Sequence, residues 1–253
     1  MTDCILITGG TGKFGRVLTG SFLEAGRNVV VTTRSAESFA GLAALYPEAA
    51  KQDRLLAVVS DLTSPDAPAV LADQLAQRGL LPRVLINNAR SLQFLAIGAD
   101  GRTSRDNFTG ELLLDVVVPY ELTNALLDTG APLTSVINIG SIYGVVAATP
   151  ALYDDHPRQS ALHYGVAKAA LVHLTKELAV RLAPRGVRVN MVSYGGVTGR
   201  ASDEFVARYS KLNPLGRMLN EGDVAGPVVF LASDAAAGMT GHNMMVDGGW
   251  TIW

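Results

Sequence analysis

A chain of 253 residues, 48% hydrophobic and only 17% charged, carries enough apolar material for a sizeable core and too little charge density for disorder. A net charge of −2 supplies no basic field for nucleic acid, and no run approaches the roughly 18 apolar residues of a membrane span. The one cysteine, Cys4, sits inside an apolar run, which excludes a disulfide framework and a cysteine-rich metal site. The N-terminus lacks the charged and long apolar regions of a secretory leader, so a cytoplasmic protein with neither membrane nor nucleic-acid partner is expected.

Strand-like runs cover Cys4–Thr8, Asn28–Thr33, Arg54–Ser60, Arg83–Asn87, Ser135–Ile139, Val187–Val192 and Asn243–Val246. Several are continuously apolar, as strands covered on both faces should be. Helical patterns lie between them near Lys13–Ala25, Ala36–Tyr46, Pro65–Arg78, Arg105–Asp128, Ser160–Ala183 and Asp223–Ser233. The alternation predicts an α/β fold: a single domain over residues 1–253, with a Rossmann-type, doubly wound parallel sheet of about seven strands. Ala147–Gln159, with two prolines and two adjacent acids, is the most loop-like segment.

The first strand runs into Thr8-Gly9-Gly10-Thr11-Gly12-Lys13-Phe14-Gly15 and then a helix. Glycines there permit a tight turn and bring backbone N–H groups close to a pyrophosphate at the helix N-terminus. A lone glycine cluster is weak, but this one stands where a βαβ dinucleotide site requires it. The second strand ends Thr32-Thr33-Arg34-Ser35, with no acid to take the adenosine ribose hydroxyls of NAD. Arg34 can instead pair with a 2′-phosphate, and Lys13 can reach the same group, so NADP(H) is expected over NAD(H).

Tyr164 and Lys168 stand four positions apart on a predicted helix and therefore share a face. An ammonium beside a phenol favours the phenolate, and Ser141 upstream can hold a substrate oxygen. The three make a proton-transfer device for a carbonyl or alcohol. A Tyr-x-x-x-Lys pair arises readily by chance, so its weight comes from context.

That context resembles the short-chain dehydrogenase/reductase family, in its compact branch of about 250 residues, over essentially the whole length. The resemblance rests on the glycine turn, Ser60-Asp61-Leu62, Asn87-Asn88-Ala89-Arg90, Ile139-Gly140-Ser141, Tyr164 to Lys168, Arg188-Val189-Asn190 and Val246-Asp247-Gly248-Gly249, in that order. It implies that Gly9, Thr11, Gly12, Lys13, Phe14, Gly15, Arg34 and Ser35 line the phosphate end of the cofactor. Asp61 and Leu62 would flank the adenine, and Asn88 and Ala89 would lie under the ribose. Gly195, Val197 and Thr198 would hold the nicotinamide side. Tyr164 would be the general acid or base, Lys168 would hold the ribose hydroxyls, and Ser141 the substrate oxygen. Asp115 stands where the family usually has an asparagine whose backbone carbonyl holds a water beside the lysine.

Other departures touch specificity. The Gly9, Gly12, Gly15 spacing is similar to the extended branch, with its epimerases and dehydratases. Arg90 replaces a usual glycine and Tyr194 a usual proline. Ser141 and Tyr164 are 23 positions apart, longer than the family's usual interval. The insertion brings Tyr153, Asp154, Asp155, His156, Arg158 and His163, polar groups suited to a sugar or acid substrate. Arg90, Tyr143 and Tyr153 are the candidate substrate contacts, and no metal site is expected. The apolar helices Leu112–Leu127 and Ser160–Ala183 match those through which the family usually associates, which implies a homodimer or homotetramer. Three functions stay open: an oxidoreductase on a small carbonyl or alcohol, a sugar-nucleotide epimerase or dehydratase, and a non-catalytic NADP sensor. The retained tyrosine and lysine favour the first.

Overall fold

Continuous apolar runs become strands that are covered on both faces. The computed structural model describes residues 2–252. In it, β1 (Thr2–Ile7), β2 (Val29–Thr33), β3 (Leu55–Val59), β4 (Leu80–Asn87), β5 (Ser135–Ser141), β6 (Arg188–Tyr194) and β7 (Asn243–Val246) form one sheet in the order β3-β2-β1-β4-β5-β6-β7. Every pairing is parallel. Every residue of β2 and β5 is buried, as the unbroken apolar runs require. The chain direction across the sheet reverses between β1 and β4, so a crevice opens beyond their C-terminal ends, where ligands of such sheets bind.

The helices are α1 (Lys13–Glu24), α2 (Ala36–Ala43), α3 (Pro47–Lys51), α4 (Ala67–Gln77), α5 (Arg105–Leu112), α6 (Val118–Asp128), α7 (His156–Gln159), α8 (Leu162–Leu182), α9 (Asp203–Leu212) and α10 (Gly222–Ala232). Leu71 and Leu75 of α4, Leu122 and Leu126 of α6 and Leu178 of α8 pack one apolar layer with Leu6, Leu85 and Val136. Leu18 and Phe22 of α1, Leu42 of α2 and Val228 and Leu231 of α10 pack the other with Ile7, Val31 and Ile137. Cys4 belongs to the first layer, and burial, with Asp3 nearby, pushes its thiol up to about 12, so it behaves as a small hydrophobe.

Four local departures from the predicted elements matter. Pro47 ends the helix expected over Ala36–Tyr46 early, at Ala43, and starts α3 at a position that needs no N–H. The helix expected over Arg105–Asp128 is interrupted at Leu113–Val117 by a π-helical turn, where the Val118 N–H reaches back five residues to the Leu113 carbonyl. Pro119 has no N–H for the carbonyl of Asp115 four residues back, so the ordinary ladder cannot pass this point. Finally, α9 was not expected, although Ser202 caps it through the Phe205 N–H and Asp203 and Glu204 fill its first turn. The segment Ala147–Gln159 is also less irregular than expected, with a 3-10 turn at Pro150–Leu152 and α7 at its end.

A third apolar cluster of Ile142, Leu152, Tyr209, Met218 and Trp250 sits apart from the two main layers. It joins the turn after β5, the insertion, α9 and the C-terminal segment, and so fastens the roof of the crevice.

Candidate active site

The glycine turn is built around close backbone approach. Gly9 has φ +64°, and a Cβ there would stand 2.9 Å from the Ala89 Cα. A Cβ at Gly15 would meet the Gly9 carbonyl oxygen at 2.4 Å, so α1 can lie on the turn only with glycine there. Asn88 ties the end of β4 to the same turn. Its Nδ2 donates to the carbonyls of Thr8 at 2.9 Å and Gly9 at 3.2 Å, while the N–H groups of Asn88 and Ala89 both donate to Thr8 Oγ1 at 2.9 Å. Gly12 caps α1 without a side-chain bond, and the first turn of α1 holds no acid, so its N–H groups face the crevice uncapped. Lys13 donates from Nζ to the Thr198 carbonyl, which links the turn to the segment beyond β6.

At the end of β2, Arg34 is exposed and lines the crevice beside Thr33. Asp61, Leu62, Arg34 and Arg90 line a second, smaller hollow. Hydrogen bonds from the Thr63 hydroxyl and N–H hold the Asp61 carboxyl below its ordinary value, with a further pull from Arg34. Ser35 does not line the crevice. Its hydroxyl caps α2 by accepting the Ser38 N–H, and Thr33 lines the crevice in its place.

Tyr164 and Lys168 come from α8, and Ser141 closes β5. All three line one crevice with the glycine turn. The Lys168 Nζ lies 5.7 Å from the centroid of the Tyr164 ring. It donates to Asp115 Oδ1 at 2.8 Å and to the Ile139 carbonyl at 3.0 Å, with both side chains of the ion pair buried. Burial alone would lower the Lys168 pKa, but the Asp115 carboxylate, Tyr164 and the hydrogen bond more than offset it, and the net direction is upward. Asp115 therefore grips the lysine with its side chain, held in place by the π-helical turn. Its second oxygen, Oδ2, has no hydrogen-bond partner among the described residues.

One turn before Asp115 stands Glu111, only 2% exposed. Burial first, and the Asp115 charge second, push its carboxyl up to about 7 against the pull of Arg90 and Lys168. The sequence reading missed this acid; the signal was a second carboxylate at helical spacing from Asp115.

Arg90 lies over the Tyr164 ring, its guanidinium 4.8 Å from the centroid. Tyr143 and Tyr153 also face the crevice, and their hydroxyls are 3.0 Å apart. Burial and the Tyr153 hydroxyl raise the Tyr143 pKa well above the ordinary phenol value. Phe205 packs edge-on against Tyr153 at 5.5 Å, and Tyr209 stacks on Trp250 at 4.3 Å. Phe205, Tyr209, Leu92 and Arg200 also line it, none of them foreseen from sequence.

The remaining polar side chains of the insertion do not line the crevice, contrary to the expectation from sequence. Asp154 pairs with Arg208 of α9 at 2.6 Å, Asp155 pairs with Arg158, and Arg158 also donates to the Ala99 carbonyl at 2.6 Å. His163 is fully buried between the Thr103 hydroxyl at 2.9 Å and the Phe94 carbonyl at 2.6 Å. These groups hold the insertion in place, and only Tyr153 reaches the crevice. Tyr194 does line the crevice, with its hydroxyl donating to the Val224 carbonyl and its ring edge-on to Phe14 at 5.3 Å. Beyond it, Gly195 lines the crevice and Val197 pairs with Leu219, with the Thr198 N–H donating to the Leu219 carbonyl at 2.9 Å.

The crevice has a volume of about 450 Å³. Five cations line it, Lys13, Arg34, Arg90, Lys168 and Arg200, and among the described residues no aspartate or glutamate does. Among the described residues no group of three histidine, cysteine or acidic side chains could hold a metal ion, and no helix is long and apolar enough to cross a membrane.

Comparisons with known proteins find relatives over almost the whole chain. A family profile described as enoyl-(acyl carrier protein) reductase matches residues 14–251. An uncharacterized short-chain type dehydrogenase/reductase of Sinorhizobium fredii is 32% identical over 97% of this chain, which spans 43% of that longer protein. Galactitol 2-dehydrogenase of Rhizobium johnstonii is 31% identical over 98% of this chain and 95% of its own length. Among solved structures, a Leptospira borgpetersenii short chain dehydrogenase with bound NAD+ is 28% identical, with a TM-score of 0.83 over 99% of this chain and 93% of that one. The Pseudomonas aeruginosa RhlG/NADP active-site complex is 27% identical, with a TM-score of 0.82 over 98% of this chain and 96% of that one.

Proposed function

The chain belongs to the short-chain dehydrogenase/reductase family and is an oxidoreductase; from that premise we propose that it interconverts a small carbonyl compound and its secondary alcohol with NADP(H), using Tyr164 as general acid and base. The observation that carries this reading is the convergence of Tyr164, Lys168 and Ser141 on the crevice that begins at the glycine turn. A dinucleotide fits there: the turn excludes side chains, the α1 N-terminus is uncapped, and cations line the walls. When bound, NADP(H) supplies or accepts the hydride.

The chain's own groups then divide the work. Ser141 orients the substrate oxygen. Tyr164 gives that oxygen a proton in reduction and takes it in oxidation. Lys168, held by Asp115, keeps a positive charge beside the phenol and reaches the ribose hydroxyls. Asp61, Leu62, Asn88 and Ala89 hold the adenosine half, and Gly195, Val197 and Thr198 the nicotinamide half. Arg90, Tyr143 and Tyr153 form the substrate side.

The preference for NADP(H) rests on Arg34, an exposed cation at the β2 end where an NAD-specific site would place an acid, with Lys13 close to the phosphates. Exposed apolar residues Val117 and Tyr120 on one helix pair, and Val166 and Val180 on α8, support a homodimer or homotetramer through these helices. The direct test follows absorbance at the reduced nicotinamide band with a panel of ketones, keto-sugars and alditols, using NADPH and NADH in parallel. A kcat/KM higher with NADPH is expected. Equal or better turnover with NADH removes the cofactor assignment, and no turnover across the panel removes the reaction.

A further inference from the structure

Five cations and no acid lining one crevice, in a chain of net charge −2, is a local charge excess that calls for negative ligands. Lys168 is neutralised by Asp115. Lys13 and Arg34 stand at the cofactor's phosphate end. That leaves Arg90 and Arg200, and among the described residues neither makes an ion pair; Arg90 also lines the smaller hollow with Arg34 and Asp61.

We infer that the substrate is itself an anion, a hydroxy or oxo compound bearing a carboxylate or phosphate, and that Arg90 binds this group against the face of Tyr164. The inference rests on the oxidoreductase reading and deepens it. Arg90 is exposed, yet its guanidinium lies over the aromatic ring, 4.8 Å from the centroid. Stacking holds the planar fork in one orientation and leaves its N–H edges free for two parallel bonds to a carboxylate or phosphate. Because the ring is that of Tyr164, the charge it binds lies within a few bonds of the reacting carbon. The charged groups around Arg90 are Glu111 and Lys168, with Asp61 in the smaller hollow that Arg90 also lines. Glu111 is not within ion-pair distance of Arg90, so the guanidinium keeps its capacity for a ligand. Arg200, which follows Gly199 beside Lys13, lines the same crevice and adds to the positive field.

The test uses three probes on one carbon skeleton: galactonate, galactitol 6-phosphate and neutral galactitol. Each is titrated into the full protein saturated with NADP+, and kcat/KM is measured for any that turns over. One anion should bind at least about tenfold more tightly than galactitol at low ionic strength, and whichever anion wins identifies carboxylate or phosphate. Arg90→Met, which keeps the aliphatic stem over the ring, should collapse the anion-to-galactitol ratio by about tenfold or more, and Arg90→Lys should restore part of it. Using a ratio cancels any effect on Tyr164 that all three probes share. If neither anion binds more tightly than galactitol, or Arg90→Met weakens all three equally, the inference is overturned. Tyr164-dependent oxidation of galactitol would then leave the oxidoreductase reading standing. Anion binding lost in Arg90→Met, with no hydride transfer to or from any probe, would retire that reading and leave the anion site.

Discussion

Two cations lie close to the ring of Tyr164, and they are held in opposite ways. Lys168 is buried, bonded to a carboxylate and a carbonyl, and fixed by a π-helical turn behind it. Arg90 is exposed and bonded to no acid, and rests on the ring alone. A buried ammonium without a partner would lose its charge or unfold its surroundings, so that side of the site must be complete before any ligand arrives. The open side carries no such demand and keeps its charge for what binds. The side holding Lys168 is thus built as core, and the side holding Arg90 as surface.

The comparison breaks most visibly on the buried side. Asp115→Ala leaves the Lys168 ammonium buried and unpaired, so a loss of about 3–5 kcal/mol in urea unfolding is expected, with activity lost as well. Asp115→Asn keeps a hydrogen-bond acceptor and should cost clearly less. If Asp115→Ala were as stable as wild type, the ion pair would not be holding Lys168.

Glu111 gives the next effect, through pH. Its carboxyl sits near 7 in the fold against an ordinary 4.5, so the folded chain holds this proton more tightly than the unfolded chain does. Its favourable contribution is whole below about 4.5, declines as pH rises, and is gone above about 7. Glu111→Gln should therefore gain on wild type between pH 5 and pH 8, by on the order of 2–3 kcal/mol from denaturant curves at the two values. A variant that loses ground over that interval contradicts the burial argument.

Arg34 sharpens the contrast from the exposed side, with the smallest change. Arg34→Ala should leave folding stability nearly untouched and lower the NADPH-to-NADH ratio of kcat/KM by about tenfold or more. An unchanged ratio would mean that the 2′-phosphate is read elsewhere.

The open and buried halves also differ in how far the sequence disclosed them. Seven strands, the glycine turn and the Tyr164–Lys168 spacing follow from local rules: unbroken apolar runs, glycine punctuation and a four-residue period. The helix break at Leu113–Val117 carried a visible sign, Pro119 four residues after Asp115, which a periodicity reading passes over because the apolar pattern continues through it. The cap of α9, Ser202 followed by two acids, was equally readable. What no local rule supplies is the partner of a polar loop residue. Asp154 reaches Arg208, 54 positions on, and His163 reaches Phe94, 69 positions back, so a set of groups that looked suited to a substrate serves to fasten the insertion.

The central claim is that Tyr164 moves the proton while the rest of the crevice binds. Single-turnover hydride transfer and NADPH affinity, measured together for wild type and Tyr164→Phe, test it most directly. The account expects the variant to bind NADPH within about twofold of wild type and to transfer hydride at least about a thousandfold more slowly, in the range typical of a lost general acid. A Tyr164→Phe protein that reduces the same substrate at a rate near wild type would contradict it.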